Sequence, residues 1–130
     1  MTPNSTGQAL GSPSYVLVIE DDHDVRVALR NLLEEEGYKV VSVTDGRRAL
    51  EMLERMRGQP PDLILLDLML PVMDGWEFAE RVRSADGLSR IPIAVISAFD
   101  REPPDGTVEY LRKPIKPEAL LRLVARHCHR

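Results

Sequence analysis

Two kinds of apolar pattern alternate along this chain of 130 residues. The first is the short unbroken run. Leu63-Ile64-Leu65-Leu66 is the clearest, four aliphatic residues in succession, as in a strand of a parallel sheet covered on both faces. Tyr15-Val16-Leu17-Val18-Ile19, Tyr38 to Val43, Pro92-Ile93-Ala94-Val95-Ile96 and Val108-Glu109-Tyr110-Leu111 read as further strands. The second pattern is the helical stripe. Val25, Ala28, Leu29, Leu32 and Leu33 recur at i, i+3, i+4, i+7 and i+8, which predicts an amphipathic helix with Asp24 as N-cap and Gly37 as its stop. Asp45 opens a second helix, with Ala49, Leu50, Leu53 and Met56 on one face and Gly58-Gln59-Pro60-Pro61 at its end. A third runs from about Trp76 to Ser84 with Phe78, Ala79 and Val82 inward. A last runs from about Pro117 to Cys128, with Pro117 at N1 and Leu120, Leu121 and Val124 buried.

Strands that alternate with helices predict an α/β fold, a doubly wound five-stranded parallel sheet with helices on both faces. One connection is short. Only residues 97–107 separate the fourth and fifth strands, close to the ~10–12 residues that a complete crossover with its helix needs. Pro103-Pro104 and Asp105-Gly106 fall within it and oppose helix. The crossover helix expected there is therefore absent or reduced to a turn.

Composition narrows the class. At 130 residues the chain is one domain with a sizeable core, and a net charge of −4 provides no broad basic surface for nucleic acid. Cys128 is the sole cysteine, so no internal disulfide forms, which fits a reducing, cytoplasmic setting. No apolar run approaches the ~20 residues of a membrane span. Residues 1–13 lack charged side chains and are rich in Ser, Thr, Gly and Pro. With neither basic nor apolar signal regions, they read as a disordered leader to a domain at 14–130.

The polar residues that interrupt the apolar runs carry the chemistry. In a parallel sheet the C-terminal ends of all strands lie along one edge, where open α/β sheets bind ligands. That edge carries Glu20, Asp21 and Asp22, then Asp67, then Ser97, then Lys113. Taken singly these are ordinary: Asp21 and Asp22 suit a helix dipole, Ser97 a strand-end hydroxyl and Lys113 a surface lysine before a proline. Together they demand a cation or a retained proton, because carboxylates this close repel one another. Carboxylate, carbonyl and water oxygens suit Mg²⁺, and no His or Cys projects there to favour zinc. A carboxylate beside Mg²⁺, with Ser and Lys as further donors, is suited to phosphoryl transfer, which is mostly positioning and charge neutralisation. Asp67 is then the nucleophile that becomes an aspartyl phosphate, while Mg²⁺, Lys113 and the Ser97 hydroxyl each take one phosphoryl oxygen.

Val18-Ile19-Glu20-Asp21-Asp22, Leu65-Leu66-Asp67-Leu68-Met69-Leu70-Pro71-Val72-Met73-Asp74-Gly75, Ile96-Ser97-Ala98 and Tyr110-Leu111-Arg112-Lys113-Pro114 stand in an order that resembles the response-regulator receiver domain of two-component signalling. The likeness covers roughly residues 14–128. It implies a flavodoxin-like sheet of order 2-1-3-4-5. It also implies phosphorylation of Asp67 by a histidine kinase's phosphohistidine or a phosphotransfer protein. Mg²⁺ would sit on Asp21, Asp67 and the Met69 carbonyl, with Glu20 acting mainly through water. Arg26, five residues after Asp21, matches the family's arginine in the first helix, which leaves Asp22 peripheral. Ser97 becomes the switch hydroxyl, Tyr110 the switch aromatic, and Lys113-Pro114 a cis peptide that aims the lysine.

The chain also departs from that family. The shortened 99–107 segment removes most of a helix that elsewhere belongs to the output face. Met69 and Phe99, each two residues past a site residue, are apolar where the family tunes autodephosphorylation, and are expected to shield the phosphoryl group from water. The implied function is a stand-alone phosphoacceptor switch, not an enzyme turning over a free substrate, signalling to a protein target. The alternative is a receiver-like binding module that works without phosphate, against which the complete site argues. A phosphatase of the aspartyl-phosphate kind wants a second acid where Met69 stands, and no helix-turn-helix follows the last helix to read DNA. Trp76 reads as a half-buried packing residue and His23 as an exposed loop residue. Glu34-Glu35-Glu36 and Arg47-Arg48 read as exposed helix faces, and His127-Cys128-His129 as a solvated tail.

Overall fold

The computed structural model describes residues 14–98 and 101–128. The expected leader, Phe99 and His129 lie outside the described residues. Nine elements follow one another: β1 (Tyr15–Ile19), α1 (His23–Glu35), β2 (Lys39–Val43), α2 (Gly46–Arg55), β3 (Leu63–Asp67), α3 (Gly75–Ser84), β4 (Ile93–Ser97), β5 (Glu109–Arg112) and α4 (Pro117–His127). All pairings are parallel, and the strand order is β2-β1-β3-β4-β5. This is the doubly wound parallel sheet that the apolar runs predict, in the flavodoxin-like order that the resemblance implies.

Why those runs are unbroken is visible in the packing. Successive strand residues point to opposite faces, and both faces are covered. Leu17, Ile19, Ile64, Leu66, Ile93 and Val95 pack under α2 and α3 with Met52, Leu53 and Phe78. Val16, Val18, Leu63, Leu65, Ala94 and Ile96 pack under α1 and α4 with Leu29, Leu33 and Leu120. Every residue of β1, β3 and β4 is buried, whereas the flanking strands β2 and β5 are only partly covered.

Three assignments shift. The N-cap of α1 is Asp22, whose side chain takes the Val25 N–H, rather than Asp24, which sits in the first turn. Gly37 does end α1, at φ 93°. In α4 the inward residues are Leu120, Leu123 and Val124, and Leu121 is only partly buried. The terminus is not a solvated tail up to Cys128. His127 Nε2 stands 3.2 Å from Glu109 Oε2, and Cys128 is buried, with its thiol pushed up to about 12 by burial and by Asp62. Between β4 and β5, the described residues 101–107 contain no helix and turn at Asp105-Gly106, where Gly106 has φ 83°.

Candidate functional site

Register brings the strand ends level. Ile19 lies opposite Leu66, Asp67 opposite Ile96 and Ser97 opposite Arg112. Glu20 thus leaves β1 beside Asp67, while Ser97 and Lys113 each stand one residue further along. The Lys113 N–H donates to the Ser97 carbonyl at 2.8 Å and ties the ends of β4 and β5 together. Among the described residues the buried polar or charged side chains are Glu20, Asp67 and Ser97, all three at this edge. Burying them costs free energy unless each is partnered.

The partners are present. Lys113 Nζ lies 2.7 Å from Glu20 Oε1 and 3.4 Å from Asp67 Oδ2. Asp67 Oδ1 accepts the Met69 N–H at 3.1 Å, and Glu20 Oε2 accepts the Asp22 N–H at 3.1 Å. Asp21 completes the cluster: one carboxylate oxygen each from Glu20, Asp21 and Asp67 fall within 4.8 Å of one another. Asp22 serves as the cap of α1, outside that triangle. Arg26 explains how the acidic turn holds its shape. Its guanidinium donates to the carbonyls of Glu20 at 3.0 Å and Asp21 at 3.2 Å, and approaches His23 Nδ1 at 3.3 Å.

One ammonium faces three carboxylates, and the imbalance appears in the titration of Glu20. Burial raises its carboxyl from 4.5 to about 7; the Lys113 hydrogen bond opposes the rise and the neighbouring Asp67 adds to it. For Lys113, burial alone would favour the neutral amine, but Glu20 and Asp67 outweigh burial and the net direction is up. A divalent cation would relieve the same repulsion without a proton. The donor set fits Mg²⁺: hard oxygens converge, and exposed Asp21 leaves the triangle open to the waters such an ion retains.

Other expected residues fall around this centre. Lys113-Pro114 is cis. Met69 turns its side chain to solvent, 46% exposed, while its backbone N–H faces Asp67. Tyr110 is half-buried in the layer beneath α2 and α3, outside the acidic triangle. Trp76 is half-buried, and its indole makes contacts the sequence did not signal: Nε1–H donates to the Glu102 carbonyl at 3.1 Å, and the Arg101 guanidinium lies 4.7 Å from the ring centre. Next to Lys113 a cavity of about 620 Å³ opens between α1 and α4, lined by Val25, Ala28, Leu32, Ile115 and Leu120 among others.

Comparison with known proteins places this geometry. The family model of the response regulator receiver domain matches residues 16–125. A 14.6 kDa protein encoded beside sodA1 in Leptolyngbya boryana is 37% identical, over 87% of this chain and 88% of its own length. The two-component response regulator ORR11 of Oryza sativa subsp. indica is 30% identical, over 89% of this chain and 82% of its own. The receiver domain of the sensor histidine kinase PA1611 from Pseudomonas aeruginosa PAO1, solved with a magnesium ion in its active site cleft, superposes with a TM-score of 0.80. It is 33% identical, over 89% of this chain and 98% of that one. The match runs through all five strands, and this chain belongs to the response regulator receiver domain family.

Proposed function

We propose that this chain is a cytoplasmic phosphoacceptor switch, in which Asp67 receives a phosphoryl group from the phosphohistidine of a histidine kinase or a phosphotransfer protein. The observation that carries the reading is Lys113 Nζ bridging Glu20 and Asp67 while three carboxylates converge beside it. An Asp67 oxygen attacks phosphorus, the new P–O bond forms as the donor's P–N bond breaks, and the imidazole leaves with the bonding pair. Asp21, Asp67 and the Met69 carbonyl would hold Mg²⁺, with Glu20 acting through water, and the ion would supply positive charge toward the phosphoryl oxygens. Lys113 offers a second positive charge beside Asp67, held there by Glu20. The Ser97 hydroxyl takes the remaining oxygen, and Ser97 with Tyr110 carries the state onward. The apolar groove between α1 and α4 opens beside Lys113, where a donor protein has to approach.

The chain's own contribution is orientation. Met69 N–H fixes one Asp67 oxygen, and Arg26 holds the turn that presents Asp21. The exposed Met69 side chain restricts water's approach and lengthens the phosphoryl lifetime, a role shared with Phe99. The test is to incubate the protein with Mg²⁺ and acetyl phosphate and weigh it intact. The reading expects one added phosphoryl group, absent in Asp67→Asn and without Mg²⁺. Failure of the wild type to gain mass, with Mg²⁺ shown to be bound, would favour a module that signals without phosphate.

A further inference from the structure

The turn between β2 and α2 supplies no acid to the site, yet it touches both segments that do. The Val43 carbonyl at the end of β2 accepts the Glu20 N–H at 3.1 Å. Gly46, the first residue of α2, meets the loop from β3 to α3. A Cβ on Gly46 would lie 3.1 Å from the Met73 carbonyl oxygen, 3.3 Å from Phe78 Cβ and 3.4 Å from Met73 Cβ. Few side-chain carbons sit so tightly, so the loop rests against bare backbone. The turn itself is stiff. Asp45 caps α2 by accepting the Arg48 N–H at 2.8 Å, and Ala49, Met52 and Leu53 seat the helix in the core.

The β3–α3 loop, by contrast, is soft except where it is anchored. Met69, Pro71 and Val72 are exposed, and Val72 takes a left-handed φ of 68°. Met73 is the anchor, buried in the same layer as Met52 and Phe78. The Gly75 N–H closes the neck of the loop by donating to the Leu68 carbonyl at 2.9 Å. A push at Met73 therefore passes around the loop to Met69 instead of down into the sheet. There the Met69 N–H donates to Asp67 Oδ1 at 3.1 Å, and the Met69 carbonyl is the backbone oxygen read above as a ligand for Mg²⁺.

We propose that Gly46 is a positioning residue: its missing side chain seats Met73, and the seat sets where the Met69 backbone stands against Asp67. The inference rests on Asp21, Asp67 and the Met69 carbonyl being the Mg²⁺ edge. A methyl group at position 46 has one yielding neighbour, because α2 and Phe78 are fixed in the core and the loop is not. The loop moves outward, the Met69 N–H draws away from Asp67 Oδ1, and the Met69 carbonyl turns from the acidic triangle. Contacts that orient metal ligands from behind are worth about 10–100-fold in metal affinity.

Mg²⁺ itself is the probe, titrated by calorimetry into the full-length protein. Hydrogen exchange is recorded in metal-free buffer, and phosphorylation by acetyl phosphate is followed by intact mass. Gly46→Ala should bind Mg²⁺ about tenfold more weakly. Its phosphorylation should need correspondingly more Mg²⁺ to reach half its maximal rate, with the rate at saturating Mg²⁺ largely recovered. Amides of residues 69–75 should exchange faster while those of β3 and α2 do not, since Ala is the better helix former at position 46. Gly58→Ala, where a Cβ meets nothing within 4 Å, should match wild type in Mg²⁺ affinity. Met73→Ala empties the seat from the loop's side and should weaken Mg²⁺ binding likewise, which carries the test if Gly46→Ala does not fold. Wild-type Mg²⁺ affinity in the folded Gly46→Ala variant overturns the proposal, as does faster exchange spread over the whole chain or an equal loss in Gly58→Ala. A wild type that binds Mg²⁺ without gaining mass overturns Asp67 as the phosphoacceptor, and the Mg²⁺ titrations still decide the role of Gly46. A wild type that binds no Mg²⁺ overturns both.

Discussion

The buried Glu20 makes stability depend on pH in an unusual direction. Its carboxyl is raised from 4.5 to about 7, chiefly by burial. Between those values the folded chain holds a proton that the unfolded chain has released, so unfolding releases it and stability falls as pH rises. The favourable contribution is complete below 4.5 and lost as pH passes about 7. At about 1.4 kcal/mol per pH unit, the window amounts to about 3 kcal/mol in metal-free buffer. The perturbation is Glu20→Gln, which keeps the shape and removes the titration. The assay is urea unfolding from pH 4.5 to 8 with chelator present, comparing the slopes of the two proteins so that other groups cancel. Wild type should lose about 3 kcal/mol more than the variant. Saturating Mg²⁺ should abolish the difference in slope, because a cation held by Asp21 and Asp67, with Glu20 reaching it through water, neutralises the edge in place of the proton. Parallel slopes for wild type and Glu20→Gln in chelator would refute the argument that burial and like charge, uncompensated by Lys113, dominate this edge.

Three further perturbations address separate parts of the structure. Gly75→Ala would place a Cβ 2.7 Å from Leu68 Cα and 3.0 Å from the Asp67 carbonyl oxygen, so it should destabilise by about 1–3 kcal/mol and slow phosphorylation by displacing Asp67; denaturation midpoint and phosphorylation rate check both. Val72 is a β-branched residue at φ 68°, 78% exposed, in a tight turn where the Met73 N–H reaches the Pro71 carbonyl at 2.7 Å. Val72→Gly should stabilise by about 1 kcal/mol by relieving that strain, read as a raised urea midpoint. Met69→Asn should shorten the phosphoryl lifetime measured by intact mass after donor removal, and an unchanged rate would remove Met69 from the account of shielding.

How far each feature was readable from the sequence depended on what carries it. Leu63 to Leu66 is unbroken because layers cover both faces of β3, so the fold shows as runs; Asp67 shows because a carboxylate ends one of them. The phase of a helix is less secure where apolar residues crowd. Leu120, Leu121, Leu123 and Val124 allow two faces, and the layer that holds Val16 and Ile96 buries Leu123 fully while Leu121 packs only partly buried against it. Asp21, Asp22 and Asp24 each precede helical residues, and the turn that Arg26 pins by its two backbone carbonyls makes Asp22 the cap. The hydrogen bond of the Trp76 indole left no mark because its acceptor is the Glu102 backbone carbonyl, which any residue carries. His127 and Cys128 depart from the expected solvated tail for a related reason: nearness to the end suggests solvent, while α4 lays His127 against Glu109 of β5 and leaves Cys128 buried.

The most direct test of the account asks where the phosphoryl group resides. An acyl phosphate on an aspartate is reduced by borohydride to homoserine, which peptide mass spectrometry locates. After incubation with Mg²⁺ and acetyl phosphate, the account predicts homoserine at position 67 alone, and none when Mg²⁺ is chelated. Homoserine at Asp21 or Asp22 with Asp67 unmodified would contradict it.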